Sequence, residues 1–587
     1  MRLTELKNDI TSAGKATVIS SKDKKERELD STLPIKQHIQ DGDTVILTLP
    51  LTVTAEEAVG NAFFELSYST GKTKIYIDDN KIAEYPFVLA PTRQNITEYA
   101  DGNEHTLKIE ITHNGAFGEF YFGKIAVHTF RDTYFNIENR GDNGITAVSS
   151  ITDDSVNIIV RATVANATNY DIIRLTLISP TGEETVKICK PTSPECIFIP
   201  DKTFFWNGGF GHEMYKIKAE LMRDTMCLDS TEVTFGVYRT DFENGFLTLN
   251  NIKLPLNGVV MRDGEIDTED SSLTAKLGAN IAAIRITPDT EKILTACDEK
   301  GLHVWLDMTT PEFDEVQTTR LIQHLASHPS LVFASSDCEK YENLRSFCSV
   351  IKNNSRNIFT AGRSHFGHDE SITEAIPDVL FISVPHDTTL QDFSELDLAF
   401  SEFLDKNKDC RYAVFADAPE GIFDRHTAAP QRADCSQEYF SLWHEKFWQT
   451  FALKKGVFAT FAGFLTDGEE ASTRTGLVSA DKSDIKDIFG FYRAQFSAEP
   501  FIRICSADVT SSTSKYIDIR CYTNAPIAEL TVNGKKKSRR TSEKLSDGVQ
   551  IFRHVKLKRQ NNTIVVTIKD DTDSTVVFRS KSRLKKV

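Results

Sequence analysis

The residues of this sequence best suited to chemistry are polar side chains that close short apolar segments. Glu339 follows LVFASSDC, Asp417 closes YAVFAD, Asp307 closes LHVWLD and Arg285 closes IAAIR. Two carboxyl groups that face one cleft can act as acid, base or nucleophile. These positions are therefore the candidates for acid–base or covalent catalysis, provided that the fold brings the segment ends together.

Other kinds of catalytic equipment are missing from the sequence. It has no HExxH motif, no clustered His or Cys, no glycine-rich phosphate loop and no G-x-S-x-G. The acidic runs GEIDTED and DGEE lack the spacing of a calcium-binding loop. We therefore predict no metal site and no cofactor.

The charge, the cysteines and the lack of long apolar stretches limit the partners and the location that can be expected for this protein. A net charge of -16 argues against binding to nucleic acid or to an anionic membrane. The ten cysteines are scattered, without a CxxC, and we expect them to be reduced thiols. No signal-peptide apolar region and no apolar stretch of transmembrane length is visible. We expect a cytoplasmic protein if the chain is complete, and a periplasmic or secreted one if a signal has been removed.

The N-terminal part of the chain has the pattern of β-sandwiches. Alternating runs such as DTVILTLPLTV and EHTLKIEITH, separated by turn-rich pieces, predict an antiparallel sandwich over residues 1–140. Strand-like runs at similar spacing predict an immunoglobulin-like sandwich over residues 141–242. This second domain lacks the Cys…Trp…Cys core of antibody domains.

Residues 243–498 change to strand followed by helix, repeated over about 250 residues, which is typical of a (β/α)8 barrel. Helices are predicted over 316–327, 341–352, about 390–406 and 436–454. Residues 499–587 return to strands and predict a small C-terminal sandwich. Active sites of such barrels lie at the C-terminal ends of the strands, where the polar side chains named above are expected.

The order of these domains, together with several motifs, resembles glycoside hydrolase family 2, the group of β-galactosidases, β-glucuronidases and β-mannosidases. YIDDNKIAEY and DGNEHTLKIEITHN resemble its N-terminal jelly-roll, sugar-binding domain. FGVYRTDFENGFLTLNNIKLPLNGVV resembles the segment that leads into its barrel through a small hairpin. The resemblance implies a jelly roll, an immunoglobulin-like domain, a (β/α)8 barrel and a C-terminal immunoglobulin-like domain. It also implies retaining β-glycosidase chemistry.

The resemblance assigns roles to the candidate residues. Glu339 matches the family's acid/base, although it could instead only begin the next helix as a favourable first-turn acid. The family has Asn before it, where Cys338 stands here as a weak hydrogen-bonding group. Asp417 stands where the family has a nucleophilic Glu, and a carboxylate set back by about 1 Å can cost on the order of 100-fold in rate. Arg285 matches an arginine that buttresses the nucleophile.

Further departures lie at the same barrel face. The loops ITPDTEK and DMTTPEFDEVQ are short and lack the family's histidines. The eighth strand carries Phe and Gly where the family usually has Trp, and the chain has 38 Phe against four Trp. Asp307 and His386, with Arg262, Asp263 and Asp467, could line the remaining cleft. The predicted substrate-binding residues are Arg285, Cys338, Asp307 and His386.

Two hypotheses follow. In the first, the protein has the family 2 architecture with a degraded site and acts as a carbohydrate-binding or assembly scaffold without catalysis. In the second, it is an active retaining β-glycosidase with Glu339 as acid/base and Asp417 as nucleophile. The expected partners are a carbohydrate, another protein or a second copy of the chain. Neither nucleic acid nor membrane insertion is expected.

Overall fold

The structure is a computed structural model. It describes all residues except 1–5, 9–14, 31–34, 38, 54–60, 118–119, 131–134, 136–143, 153–154, 244, 263–266, 338–340, 365–376, 385–386, 409, 420, 428–434, 471–472, 507–510, 536–539 and 581–587. No helix in this described part of the chain is long and apolar enough to cross a bilayer.

The N-terminal domain is an antiparallel sandwich. Its strands are β1 (Leu6–Asn8), β2 (Lys15–Ile19), β3 (Glu26–Leu29), β4 (Ile35–Gln37), β5 (Thr44–Thr52), β6 (Asn61–Leu66), β7 (Gly71–Ile77), β8 (Asn80–Tyr85), β9 (Thr92–Asn95), β10 (Glu104–His113), β11 (Phe120–Phe122) and β12 (Ile125–Phe130). One sheet has the order β3-β2-β5-β10-β7-β8 and the other β1-β12-β6-β9. Alternate residues of β5 are buried, as expected for a strand with one face on a core. Strands β7 and β8 form a hairpin, and β10 pairs with both β5 and β7 in the middle of its sheet.

The second domain is a sandwich of two antiparallel sheets, β13-β14-β17 and β16-β15-β18-β19. Its strands are β13 (Ile145–Ile151), β14 (Val156–Ala162), β15 (Ile172–Ile178), β16 (Glu184–Cys189), β17 (Glu195–Phe198), β18 (Met214–Arg223) and β19 (Met226–Gly236). Val160, Leu175 and Ile217 are fully buried between the sheets. The core is therefore made of aliphatic side chains from both sheets.

A small sheet leads from this sandwich into the barrel. It consists of β20 (Thr240–Glu243), β21 (Phe246–Leu249) and β22 (Ile252–Lys253). Asn250 and Asn251 form the two-residue turn between β21 and β22, with φ of 51° and 66°. Asn tolerates this left-handed conformation better than most residues, and two such residues suit a tight hairpin. The predicted hairpin is confirmed.

The third domain is a closed barrel of eight parallel strands. They are β23 (Leu256–Val260), β24 (Ile281–Arg285), β25 (His303–Asp307), β26 (Leu331–Ser336), β27 (Phe359–Arg363), β28 (Val379–Ser383), β29 (Tyr412–Phe415) and β31 (Val457–Phe464), with β30 (Gly421–Ile422) and β32 (Thr473–Arg474) as a small pair outside it. Strand β31 pairs with both β23 and β29, which closes the ring. The predicted (β/α)8 barrel is confirmed.

Helices surround the barrel and bury their apolar side against it. They are α1 (Thr268–Leu277), α2 (Thr290–Lys300), α3 (Glu315–Leu325), α4 (Tyr341–Asn354), α5 (Phe393–Lys406), α6 (Gln437–Phe447) and α7 (Asp487–Phe496). The sequence predicted one helix over 436–454, but α6 ends at Phe447 and continues as a π-helical turn, Trp448–Ala452. The change from α-helical to π-helical hydrogen bonding cannot be recognised from the pattern of residues.

The C-terminal domain is a third sandwich, with sheets β33-β35-β39-β38 and β34-β41-β40-β36-β37. Its strands are β33 (Ile502–Ile504), β34 (Ser511–Ser512), β35 (Tyr516–Thr523), β36 (Glu529–Val532), β37 (Arg540–Thr541), β38 (Glu543–Ser546), β39 (Val549–Lys556), β40 (Asn561–Thr567) and β41 (Thr572–Arg579). The predicted architecture of three β-sandwiches and one barrel is therefore confirmed.

The N-terminal and C-terminal sandwiches are both fixed to the barrel by buried hydrogen bonds. The amide of Leu89 donates to Oε1 of Gln317 on α3, at 3.3 Å. On the other side, the buried carboxylate of Glu445 on α6 accepts hydrogen bonds from Tyr522 and Arg520 of the C-terminal sandwich. Buried polar groups need such partners, so these contacts also fix the orientation of the domains.

The immunoglobulin-like domain meets the barrel at a tight backbone contact. Trp206 donates its indole N–H to the carbonyl of Asp298 at 3.1 Å and packs edge-on against His303. Gly301 ends α2 in the left-handed conformation, with φ of 67°. A Cβ atom at Gly301 would lie 2.3 Å from the backbone of Gly208. Glycine is therefore required here by conformation and by space.

We predict that Gly301→Ala destabilises the protein more than Gly182→Ala does. Gly182 also has a positive φ, 84°, but a Cβ atom added there would meet no heavy atom within 4 Å. The Gly182→Ala variant therefore measures only the free-energy cost of a left-handed backbone at alanine. That cost is roughly 1–2 kcal/mol, and the clash at Gly301 adds about 1–3 kcal/mol. Scanning calorimetry of both variants measures the difference. Equal losses of stability would contradict the close contact between the domains.

Candidate active site at the barrel mouth

Aromatic rings fill the centre of the barrel. Trp305 of β25 is 2% exposed and stacks on Phe333 with centroids 4.8 Å apart. It meets Phe381, Phe415 and Phe461 edge-on at 5.5–5.9 Å. Phe415 and Phe461 lie parallel to each other at 4.0 Å. We refer to these five residues as the aromatic floor, because they lie directly below the C-terminal ends of the strands.

Small residues on the neighbouring strands make room for the aromatic floor. Ala283, Ala361, Ala413 and Ala459 are buried in the same cluster. A Cβ atom at Gly258 would lie 2.3 Å from the ring of Phe461. Barrel interiors are usually filled by branched aliphatic side chains from alternate strands. Here, large rings and very small residues take much of that space, beside aliphatic side chains of the usual kind.

A ring of polar side chains lies above the aromatic floor at the strand ends. Arg285 and Asp307 are neighbours in the register of β24 and β25, and both are partly buried. Asp307 accepts hydrogen bonds from the amide and the hydroxyl of Thr309, at 3.0 and 2.5 Å. Burial raises the pKa of Asp307, and the charge of Asp337 adds to this, although Thr309 and Arg285 act in the opposite direction. This carboxyl group therefore holds a proton more readily than an exposed aspartate.

A second pair, which the sequence reasoning missed, lies beside the first. Asp337 follows β26 and forms an ion pair with Arg363, the last residue of β27, at 2.5 Å. The Asp337 amide donates to the Thr309 hydroxyl at 3.0 Å, so the loops after β25 and β26 are joined. Both residues follow apolar strand segments, as Asp307 does. That position is the signal by which they could have been found.

Asp417, the predicted nucleophile, is not the last residue of its strand as the sequence suggested. Strand β29 ends at Phe415, and the amide of Asp417 donates back to the carbonyl of Phe415 at 3.0 Å. A bond between residues two apart closes a tight turn, so the chain leaves the strand direction before Asp417. The residue is partly buried near the strand end. Its catalytic role stays a prediction.

Three predicted site residues, Cys338, Glu339 and His386, lie outside the described residues, and so does the cleft candidate Asp263. Cys338 and Glu339 follow β26, which ends at Ser336, and His386 follows β28, which ends at Ser383. Their roles as substrate contact and acid/base stay predictions. Arg285 and Asp307 are the predicted substrate-binding residues that the structure brings together.

Two further residues that the sequence placed in the cleft hold the barrel together. Arg262 donates from Nε to the carbonyl of Thr466 at 2.9 Å and lies over the ring of Phe464. Asp467 forms a buried ion pair with Lys486 at 2.6 Å. The Arg262 contact ties the end of the first strand to the long loop after the eighth, and the Asp467–Lys486 pair holds that loop together. A structural role accounts for both residues.

The described residues contain no group of three or more His, Cys, Asp or Glu side chains that could hold a metal ion. None of the four tryptophans is an exposed platform. Trp206, Trp305 and Trp443 are buried, and Trp448 lies partly buried behind the barrel, near the C-terminal sandwich. At the barrel mouth, aromatic surface comes instead from Phe381 and Phe415, which are both partly exposed.

Comparison with known proteins agrees with this architecture. An FMN-binding β-glucuronidase from Facaelibacterium prausnitzii L2-6 superimposes with a TM-score of 0.82, at 18% identity over 99% of both chains. A putative β-galactosidase from Bacteroides fragilis gives 0.80, at 14% identity over 99% of both chains. The chain has the fold of glycoside hydrolase family 2.

Other solved structures extend this likeness. Bacteroides uniformis β-glucuronidase 2, covalently bound to cyclophellitol-6-carboxylate aziridine, gives a TM-score of 0.75 at 17% identity. The match covers 98% of this chain and 81% of that one. No family model matches the sequence, and no curated protein matches it either. At such low identity the likeness establishes the fold and leaves the activity open.

We predict that Gly258 and Phe461 depend on each other. Gly258→Ala should cost about 1–3 kcal/mol, because the new methyl group would overlap the Phe461 ring. Phe461→Leu alone should also destabilise, since it leaves part of the floor unfilled. The double variant should lose less stability than the sum of both, as measured by denaturant unfolding. Strictly additive losses would contradict direct packing between the two residues.

Proposed function

We propose that the protein binds carbohydrate at the barrel mouth without hydrolysing it. The observation that supports this is an apolar floor with a polar rim. Phe381 and Phe415 offer partly exposed rings, and Arg285, Asp307 and Arg363 stand at the surrounding strand ends. Sugar rings pack an apolar face against aromatic side chains while their hydroxyl groups bond to polar ones.

Several observations favour binding over hydrolysis. Retaining hydrolysis needs two carboxyl groups about 5–5.5 Å apart, one of them free to attack the sugar. Asp417 has a shorter side chain than Glu and lies beyond a turn that ends its strand early. The carboxylates of Asp337 and Asp307 are already engaged by Arg363 and Thr309. The polar rim is thus better arranged to hold a ligand than to supply a nucleophile.

The ligand class follows from the neighbours. Those named above are called β-glucuronidases or a putative β-galactosidase, and we take β-linked hexose or hexuronic acid units as the class of ligand. Two arginines at the rim, Arg285 and Arg363, would suit a carboxylated sugar, because guanidinium groups bind carboxylates with paired hydrogen bonds. Arg363 would then share its charge between Asp337 and the ligand.

The alternative is an active retaining β-glycosidase with Glu339 as acid/base and Asp417 as nucleophile. One observation favours it. The closed barrel puts the ends of β26 and β29 at the same mouth, and Asp307, whose pKa is raised, stands at that mouth too. An acid with a raised pKa is a common component of hydrolase sites.

Binding should depend on the aromatic floor. We predict that the protein binds aryl β-glucuronides or β-galactosides in calorimetric titrations and that Phe415→Leu weakens binding about 10-fold, because the flat ring surface is lost. Phe242→Leu serves as the matched control. Phe242 packs on Phe359 and Phe458 at the opposite end of the barrel, so this variant should bind like the unaltered protein. Equal weakening by both substitutions would contradict a site at the mouth.

Catalysis is tested separately. We expect no turnover of a panel of aryl β-glycosides, and therefore equal background rates for the unaltered protein, Glu339→Gln and Asp417→Asn. The assay follows release of the coloured aryl group over a range of pH. Turnover that both substitutions abolish would establish the glycosidase alternative and overturn the proposal.

A further inference from the structure

Two cysteines of the immunoglobulin-like domain lie at neighbouring edges of its two sheets. Cys189 is the last residue of β16 in one sheet, and Cys196 is the second residue of β17 in the other. The six residues between them cross from sheet to sheet, and a bridge between Lys190 and Ser193 closes the turn. This short connection brings the two cysteines near each other.

Both side chains face the core from opposite sheets. Cys189 lies directly opposite Ile173 in the pairing of β15 with β16, and Cys196 lies opposite Val160 in the pairing of β14 with β17. Ile173 and Val160 are fully buried, and opposed residues of an antiparallel pair share a face. Both cysteines are partly buried against the same apolar cluster. The two thiols thus approach each other across the edge of the sandwich.

The Cys196 thiol is close enough to affect the ionisation of Cys189. Burial raises the pKa of the Cys189 thiol to about 12, and the neighbouring Cys196 adds to this shift. A second contact already holds the two strands in place, because Lys187 of β16 donates to the carbonyl of Ile197 in β17 at 2.6 Å. A bond between the sulfur atoms would therefore join two sheet edges that already lie side by side.

In the described structure, Cys505 and Cys521 are another pair of neighbouring cysteines. This pair is less accessible to solvent than Cys189 and Cys196. Cys521 is fully buried in the core of the C-terminal sandwich. Cys189 and Cys196 are both partly exposed, so a small reagent can reach either one. Thiol reactivity requires such access.

We propose that Cys189 and Cys196 form a reversible disulfide bond, and that the immunoglobulin-like domain carries a redox-sensitive cross-link. The oxidant is a small disulfide of the glutathione class. One protein thiolate attacks it, forming a mixed disulfide and releasing one small thiol. The second protein thiolate attacks the mixed disulfide, forming the protein disulfide and releasing the other small thiol. Two protein thiols are thus oxidised while one small disulfide is reduced to two thiols.

The cross-link would join the two sheets at an edge where only short strands meet. It closes a loop of eight residues, 189–196, which limits how far the unfolded chain can spread. We therefore expect the oxidised domain to unfold at a higher temperature than the reduced one. We also expect oxidation to accelerate with rising pH, because Cys189 is protonated at neutral pH.

The test uses the full chain. The protein is equilibrated in glutathione buffers of increasing oxidised fraction, quenched with acid, alkylated and digested with trypsin. Residues 188–202 form one tryptic peptide that contains both cysteines, because Lys190 precedes a proline. We expect this peptide to lose two hydrogens and to escape alkylation, and the thiol titre of the intact chain to fall by two of its ten. A reductant should restore both.

Three variants sharpen the test. Cys189→Ser and Cys196→Ser should each keep one reactive thiol that forms only a mixed disulfide with glutathione. Cys227→Ser, a matched control in the same domain, should form the cross-link as the unaltered chain does. Full alkylation of both cysteines at every buffer ratio, or two bound glutathiones on the peptide, would overturn the proposal.

Discussion

The packing of Trp305 and its phenylalanines inside a closed ring of strands is the constraint on which the rest of the barrel depends. Eight parallel strands leave an interior of fixed width. Trp305, Phe333, Phe381, Phe415 and Phe461 occupy it only because glycine and alanine stand on the adjoining strands. The same rings set the depth of the mouth above them. They therefore determine both the stability of the barrel and the space that a ligand could occupy.

The outer domains depend on the barrel in a different way. Their contacts with it combine apolar packing with a few buried polar groups, such as Glu445 with Tyr522 and Trp206 with the carbonyl of Asp298. Asp487 on α7 likewise accepts from Arg503 and from the amide of Ser506. Removing one partner from such a buried pair lowers the stability of the protein, because the other partner is left with neither a protein partner nor water to bond with. These pairs make the domain arrangement specific.

Much of the fold was predictable from the sequence, because strand and helix periods repeat over long stretches. The eight apolar segments from Leu256 to Phe464 were all recognisable as barrel strands. The site was less predictable, because its geometry depends on where backbone hydrogen bonding stops. YAVFAD suggested a strand ending at Asp417, yet the strand ends at Phe415. Nothing in those six residues reveals that the last amide turns back on its own strand.

Pairs that form between side chains of different strands were missed for a related reason. Asp337 and Arg363 meet because β26 and β27 are neighbours in the barrel, and Cys189 and Cys196 meet because a turn links two sheets. The cysteines were expected to be scattered thiols, because their spacing matches no known framework. A residue pattern identifies the elements, but contacts between side chains depend on register and on the path of each connection.

The scarcity of tryptophan has a practical consequence. Trp206 lies between the immunoglobulin-like domain and the barrel, Trp305 in the barrel centre and Trp448 beside the C-terminal sandwich. Trp443 belongs to α6, and its ring meets Phe393 of α5 edge-on. Trp206 and Trp448 thus stand at two different domain junctions, while Trp305 and Trp443 lie within the barrel domain. With only four such chromophores, the intrinsic emission of single-tryptophan variants would separate the domain junctions optically, without any added label.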